Sequence, residues 1–150
     1  MKNFFEQNVK EEVLNRIDRL TPESRAQWGR MNVNQALRHL TMAMEVPTGN
    51  IDPTPEKVPN VPKWLLRFFL LKIKPPKGKA ETFKEMNIIA NQINPEDFAI
   101  EQQSLKAAVE NLFMAEALLP ENKLAGKFTK TDWGKLTYNH TDHHLRQFGV

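Results

Sequence analysis

The chain has 150 residues, a size suited to one domain that buries a core without covalent staples. Its composition, 40% hydrophobic and 26% charged, excludes a disordered or fibrous chain, and the lack of cysteine excludes disulfides, a thiolate nucleophile of its own and any cysteine-ligated metal centre. The net charge of +3 is local: Lys57, Lys63, Arg67, Lys72, Lys74, Lys77 and Lys79 form one stretch without an acid, which leaves 14 basic against 18 acidic residues elsewhere and argues against nucleic-acid binding.

The N-terminal MKNFFEQNVKEEV becomes charged too early for a signal sequence, so the expected compartment is the cytoplasm. Phe5, Val9, Val13, Ile17 and Leu20 recur at spacings of four, four, four and three, which predicts an amphipathic helix over residues 3–20. Thr21-Pro22-Glu23-Ser24 has a cap residue followed by proline and predicts a short turn of helix ending near Gly29. A second helix is expected from Asn32 or Asn34 to Glu45, with Val33, Leu37, Leu40 and Met44 on its stripe and His39 beside it, ended by Pro47 and Gly49.

Residues 48–62 are proline-rich and read as a long loop, of the kind that serves a function or covers something. Pro62 to Lys74 is the most apolar stretch, but about a dozen residues fall short of the roughly 20 needed to span a bilayer, so no stable membrane insertion is expected. Trp64 to Lys74 is expected instead as an extra helix over the mouth of the domain. The competing reading makes it a wall of a substrate pocket or a docking surface. Pro75 to Lys79 breaks it, and residues 80–95 carry little pattern.

Asn94-Pro95-Glu96 opens a long helix in which Leu105, Ala108, Leu112, Ala115 and Leu119 keep a three-four spacing up to Pro120. After Gly126, Thr129 or Thr131 caps a last helix reaching about Phe148, with Asp132 in its first turn. Four long amphipathic helices, starting near residues 3, 32, 96 and 130, make an all-α domain of residues 1–150, most simply a four-helix bundle with a short extra helix and long loop between its second and third members.

Chemistry concentrates on the histidines. His140 and His144 share the side of the last helix that carries Trp133, Leu136 and Phe148, and residues four apart on a helix stand about 6 Å apart, close enough for two imidazoles to hold one ion. His143 is also three residues from His140, and the apolar stripe does not choose between His143 and His144. His39 lies beside a core stripe, where a buried imidazole needs a partner, and facing helices of bundles build metal sites from such inward side chains.

The segments RIDRLTPESRAQWGRMNVNQALRHL and GKFTKTDWGKLTYNHTDHHLRQFGV, with the RHL helix, the Trp133-Gly134 pair and the trailing Arg146-Gln147-Phe148, resemble the DinB/YfiT-like superfamily of metal-binding four-helix bundles over nearly the whole chain. The resemblance implies that His39, His140 and His144 hold a divalent ion, and it selects His144 over His143. Zinc or nickel come first, with manganese or iron also compatible with imidazole ligands. It further implies a transferase that uses an external low-molecular-weight thiol on a small-molecule substrate. A metal-dependent hydrolase or a non-catalytic metal- or ligand-binding bundle are the alternatives, and a homodimer is compatible with the architecture. Asp142 is expected on the opposite helix face, while Gln35, Glu45, Gln102 and Gln147 are candidate partners for the ligands. No HExxH, GxSxG, Walker or GxGxxG motif is present.

Overall fold

The computed structural model describes residues 2–55, 57, 60–73 and 83–150. The chain is mainly helical: α1 (Gln7–Asp18), α2 (Val33–Glu45), α3 (Lys63–Lys72), α4 (Phe98–Phe113) and α5 (Lys130–Gln147), with a 3-10 turn at Lys84–Met86. Two two-residue strands, β1 (Glu121–Asn122) and β2 (Gly126–Lys127), pair antiparallel just before α5. The sequence pattern did not mark this hairpin, because two residues are too few to show an alternation.

The stripes read for α1, α2 and α4 form the core, whereas α5 contributes Tyr138 and Leu145 from outside its expected stripe, whose Trp133 and Leu136 pack in a second cluster. Val9, Val13 and Ile17 of α1 pack with Leu37, Leu40 and Met44 of α2, Leu105 and Leu112 of α4, and Leu145 of α5. A second apolar cluster, built around Val46, Leu71, Met86, Phe128 and Trp133, lies under α3 and the hairpin. The end caps are explicit. Asn32 and Gln35 form a reciprocal capping box on α2, and Thr129 and Asp132 form another on α5.

Three helix boundaries differ from expectation. The first helix begins at Gln7, and the chain ahead of it bends so that Phe4, outside the predicted stripe, becomes fully buried with its amide donating to Gly134 O at 3.0 Å. The Thr21 segment makes a turn, not a helix, with Ser24 N donating to Thr21 O. Further on, the Gln27 amide donates to Gln147 O at 2.8 Å, and such tertiary bonds hold the backbone out of helix. The fourth helix is capped by Asp97, whose side chain accepts from Ile100 N, and it stops at Phe113 rather than running to Pro120. Beyond it, the Leu119 amide donates to Pro47 O at 2.8 Å and Leu119 O accepts from Trp133 Nε1 at 2.7 Å. Those bonds need a non-helical backbone, and they override the favourable propensity of residues 114–119.

Helix α3 packs against α5 and the hairpin as a cover, tied by Arg67 Nη2 to Asp132 Oδ2 at 2.7 Å. It also leaves Trp64, Phe68, Phe69 and Ile73 exposed. Of the basic stretch, Lys57, Lys63, Arg67 and Lys72 are described, whereas Lys74, Lys77 and Lys79 lie outside the described residues. Among the described residues, no helix is long and apolar enough to cross a membrane.

Candidate metal centre

Helix α2 carries His39 and α5 carries His140 and His144, and the two helices bring all three rings together. One ligand nitrogen from each lies within 4.8 Å of the others. The ring centroids are separated by 5.0 Å for His39 and His140, 4.8 Å for His39 and His144, and 4.8 Å for His140 and His144. His39 Nε2 and His140 Nε2 are 3.1 Å apart. Donors bound at about 2.0–2.1 Å with tetrahedral angles would stand about 3.3 Å apart, so small ring rotations suffice for the three residues to hold one divalent ion.

The remaining ring nitrogens fix which tautomer faces the centre. His39 Nδ1 donates to Met86 O at 3.0 Å. His144 Nδ1 donates to Gln147 Oε1 at 2.9 Å, and the Gln147 amide is oriented by its own Nε2, which donates to Trp28 O at 2.6 Å. In a neutral imidazole one proton at Nδ1 leaves a lone pair at Nε2. His39 and His144 therefore turn basic Nε2 atoms towards the shared centre, the arrangement in which outer partners orient metal-ligating histidines.

Burial keeps these rings uncharged. Desolvation lowers the pKa of His39 against the opposing hydrogen bond from Met86 O, lowers that of His140 well below the usual value with help from the neighbouring imidazoles, and brings His144 to about 3. Neutral imidazole is the form that binds a metal.

A cavity of about 580 Å³ opens beside the triad. Apolar side chains dominate its wall, among them Ala43, Val46, Leu70, Ile88, Trp133 and Leu136. Phe69 and Ile73, at the end of α3, stand on its exposed rim. The covering helix and the pocket wall anticipated for this segment are thus the same element seen from two sides. No aspartate, glutamate or lysine is among the described lining residues.

His143 also lines the cavity but remains outside the triad, stacking edge-on to Trp28 and to His144 at centroid distances of 5.9 and 5.1 Å. Asp142 points away, as its position predicts, into ion pairs with Arg16 at 2.9 Å and Arg146 at 3.0 Å. Among the polar candidates, Gln147 reaches His144 of the triad. Gln35 bonds Ile93 O and Asn94, and Gln102 bonds Ile17 O, so both brace helices instead. The carbonyl of Met86 is the site contact that sequence reasoning missed. It belongs to a weakly patterned stretch, and a backbone acceptor leaves no signature in residue type.

Residues 5–149 match the model of a family described as "Protein of unknown function (DUF1569)". No curated protein and no solved structure matches the chain.

Proposed function

The chain belongs to the DUF1569 family, a membership without a stated reaction, so its chemistry has to come from the site, and we propose a metal-dependent enzyme with a DinB-like four-helix-bundle architecture. In this reading α1, α2, α4 and α5 are the bundle, α3 and the hairpin cover one end, and His39, His140 and His144 hold zinc or nickel. The single observation that carries it is the convergence of three neutral histidines, two with Nε2 lone pairs fixed by Met86 O and Gln147 Oε1, at the edge of a small-molecule-sized cavity.

When bound, a divalent ion held by three uncharged ligands supplies undiminished positive charge, which promotes deprotonation of a coordinated thiol or water. A thiol-dependent transferase is the preferred reaction class. Among the described residues the cavity wall offers no carboxylate to serve as general base, and a thiol needs less help than water to lose its proton. The chain has no cysteine, so the thiol comes from outside as a low-molecular-weight cosubstrate. Its proton passes to solvent, its sulfur forms a bond to an electrophilic carbon, and the leaving group departs with the electron pair of the broken bond. The chain's part is to hold both reactants beside the triad and to exclude bulk water with the apolar wall.

A hydrolase is the second reading, and His143 is what favours it. This imidazole lies on the same cavity wall, and burial together with Arg146 lowers its pKa, so it is neutral and able to accept a proton from water.

Elemental analysis of the purified protein tests the common premise. The expected result is about one divalent ion per chain, lost in both His39→Ala and His144→Ala; an ion-free protein, or ion content unchanged in the variants, would overturn it. Assays with a panel of electrophiles then divide the reactions. Turnover that requires added thiol supports the transferase, whereas thiol-independent ester or amide cleavage that falls in His143→Ala supports the hydrolase.

A further inference from the structure

The geometry points to an amphipathic small molecule as the occupant of the cavity, one with a single anionic, metal-ligating end and an uncharged apolar body. This inference rests on the reading of the triad as a metal centre and adds the substrate class.

Three features of the cavity select such a molecule. Its volume of about 580 Å³ falls in the range of roughly 300–1,000 Å³ typical of pockets that enclose small ligands. Its charge is one-sided: apart from the histidines, Arg30 is the only ionisable residue among the described lining, and it is exposed at the rim. Among the described lining residues a cationic ligand end therefore finds no acidic partner, while an anionic end would find the ion that three neutral histidines can hold and, at the rim, one guanidinium. A multiply charged or sugar-like body would be desolvated against Leu70, Ile88, Leu136 and Trp133 with few groups to replace its water.

The placement of the polar groups sharpens the selection. The triad sits where α2 and α5 converge, whereas Phe69 and Ile73 form the solvent-facing mouth on α3. A ligand entering past those side chains passes apolar surface before its end reaches the Nε2 atoms. Orientation follows from this gradient: head inward to the ion, body along the apolar wall.

Straight-chain carboxylates from butanoate to decanoate, titrated into the full chain with and without one equivalent of Zn²⁺, test the inference by calorimetry and by the fluorescence of Trp28 and Trp133. The expected result is that each added methylene lowers Kd about three- to fourfold over the first few additions in both forms, and that Zn²⁺ tightens the whole series. A Zn²⁺ effect with no dependence on chain length overturns the apolar-body inference and leaves the metal reading intact. Chain-length dependence that Zn²⁺ leaves unchanged overturns the metal-ligating end, whereas the metal reading falls only if Zn²⁺ titrated alone into the chain gives no binding heat. Filling the cavity with Ala43→Phe should abolish the advantage of the longer chains while butanoate still binds the Zn²⁺ form. An undiminished advantage in a variant folded by circular dichroism overturns the inference. Should Ala43→Phe fail to fold, Ile73→Asn at the exposed mouth takes its place, with weaker binding of long chains expected and unchanged binding overturning.

Discussion

Gln147 shows how far a single residue's role depends on its partners on both sides. Its Oε1 accepts from His144 Nδ1 and its Nε2 donates to Trp28 O, so the amide converts the position of the chain at Trp28 into the orientation of the His144 ring. Gly29, at φ +82°, passes close by, and a Cβ there would stand 2.5 Å from Gln147 Nε2. Outer-shell partners of this kind typically contribute 10- to 100-fold in metal affinity. Gln147→Ala should therefore weaken zinc binding by about that factor while leaving the helical circular dichroism intact, and an unchanged affinity in a competition titration with a chromophoric chelator would remove Gln147 from the site. At this scale the sequence was partly legible. Spacing placed His140 with either His143 or His144, the family resemblance favoured His144, and in the fold His144 turns to His39 while His143 turns to Trp28. Met86 was invisible because its contribution is a carbonyl.

Helix α5 carries two of the three candidate ligands, and its N-terminus is held by one carboxylate. Asp132 Oδ2 accepts from the Thr129 amide at 2.9 Å, the Thr129 hydroxyl at 2.7 Å and Arg67 at 2.7 Å, so it caps α5 and ties α3 across it. Desolvation, the largest single influence, would raise its pKa, but the Thr129 bonds and the Arg67 guanidinium together outweigh it and hold the group below the usual carboxylate range. A carboxyl whose folded pKa is depressed contributes stability above its unfolded pKa, and that contribution disappears as pH falls through the lower folded value. Stability measured by urea unfolding should thus decline on acidification below about pH 4, and Asp132→Asn should remove that part of the slope while costing about 1 kcal/mol at neutral pH through the weakened cap. A variant with an unaltered acid slope would show that other carboxylates carry it.

Element boundaries were the least legible part of the sequence, for a related reason. Helix starts were legible to within two residues, as Asn32 or Asn34 and Thr129 or Thr131, because caps are local chemistry, and the fold uses Asn32 and Thr129, whereas the stop at Phe113 depends on Pro47 and Trp133, far away in the chain. Gly134 makes the same point within α5. A Cβ there would lie 1.8 Å from Asn3 Oδ1, so the glycine admits the N-terminal segment that buries Phe4. Alanine gains about 1 kcal/mol of helix propensity, but displacing Asn3 breaks its bond to Phe5 N and overpacks the contact, which costs about 1–3 kcal/mol. Gly134→Ala is expected to lower stability by about 1 kcal/mol net in chemical denaturation, and a stabilised variant would mean that the N-terminal segment yields without cost.

At the scale of the whole molecule, the periodic stripes of α1, α2 and α4 account for most of the first cluster, while the second, beneath α3 and the hairpin, takes Trp133 and Leu136 from the stripe expected of α5 together with Met86 and Phe128, which lie in stretches without periodicity. The site lies between the two. His39 comes from the α2 side and is steadied by the loop carbonyl of Met86, and His140 and His144 come from α5, so an ion bound there joins parts of the chain that are distant in sequence. The three imidazoles face one another, with His140 Nε2 3.1 Å from His39 Nε2, and this is a set of donors that the folded state offers an ion and the unfolded chain does not assemble. Binding to the folded form alone stabilises by RT ln(1 + [L]/Kd), about 2.7 kcal/mol at one hundred times Kd. For a chain of this size that corresponds to a rise in Tm of roughly 5–10 °C. Thermal scans should show the rise on adding zinc to chelator-treated protein and its reversal by chelator, with His39→Ala showing neither. A shift of equal size in that variant would place the stabilising ion elsewhere and detach the metal from the junction of the two clusters.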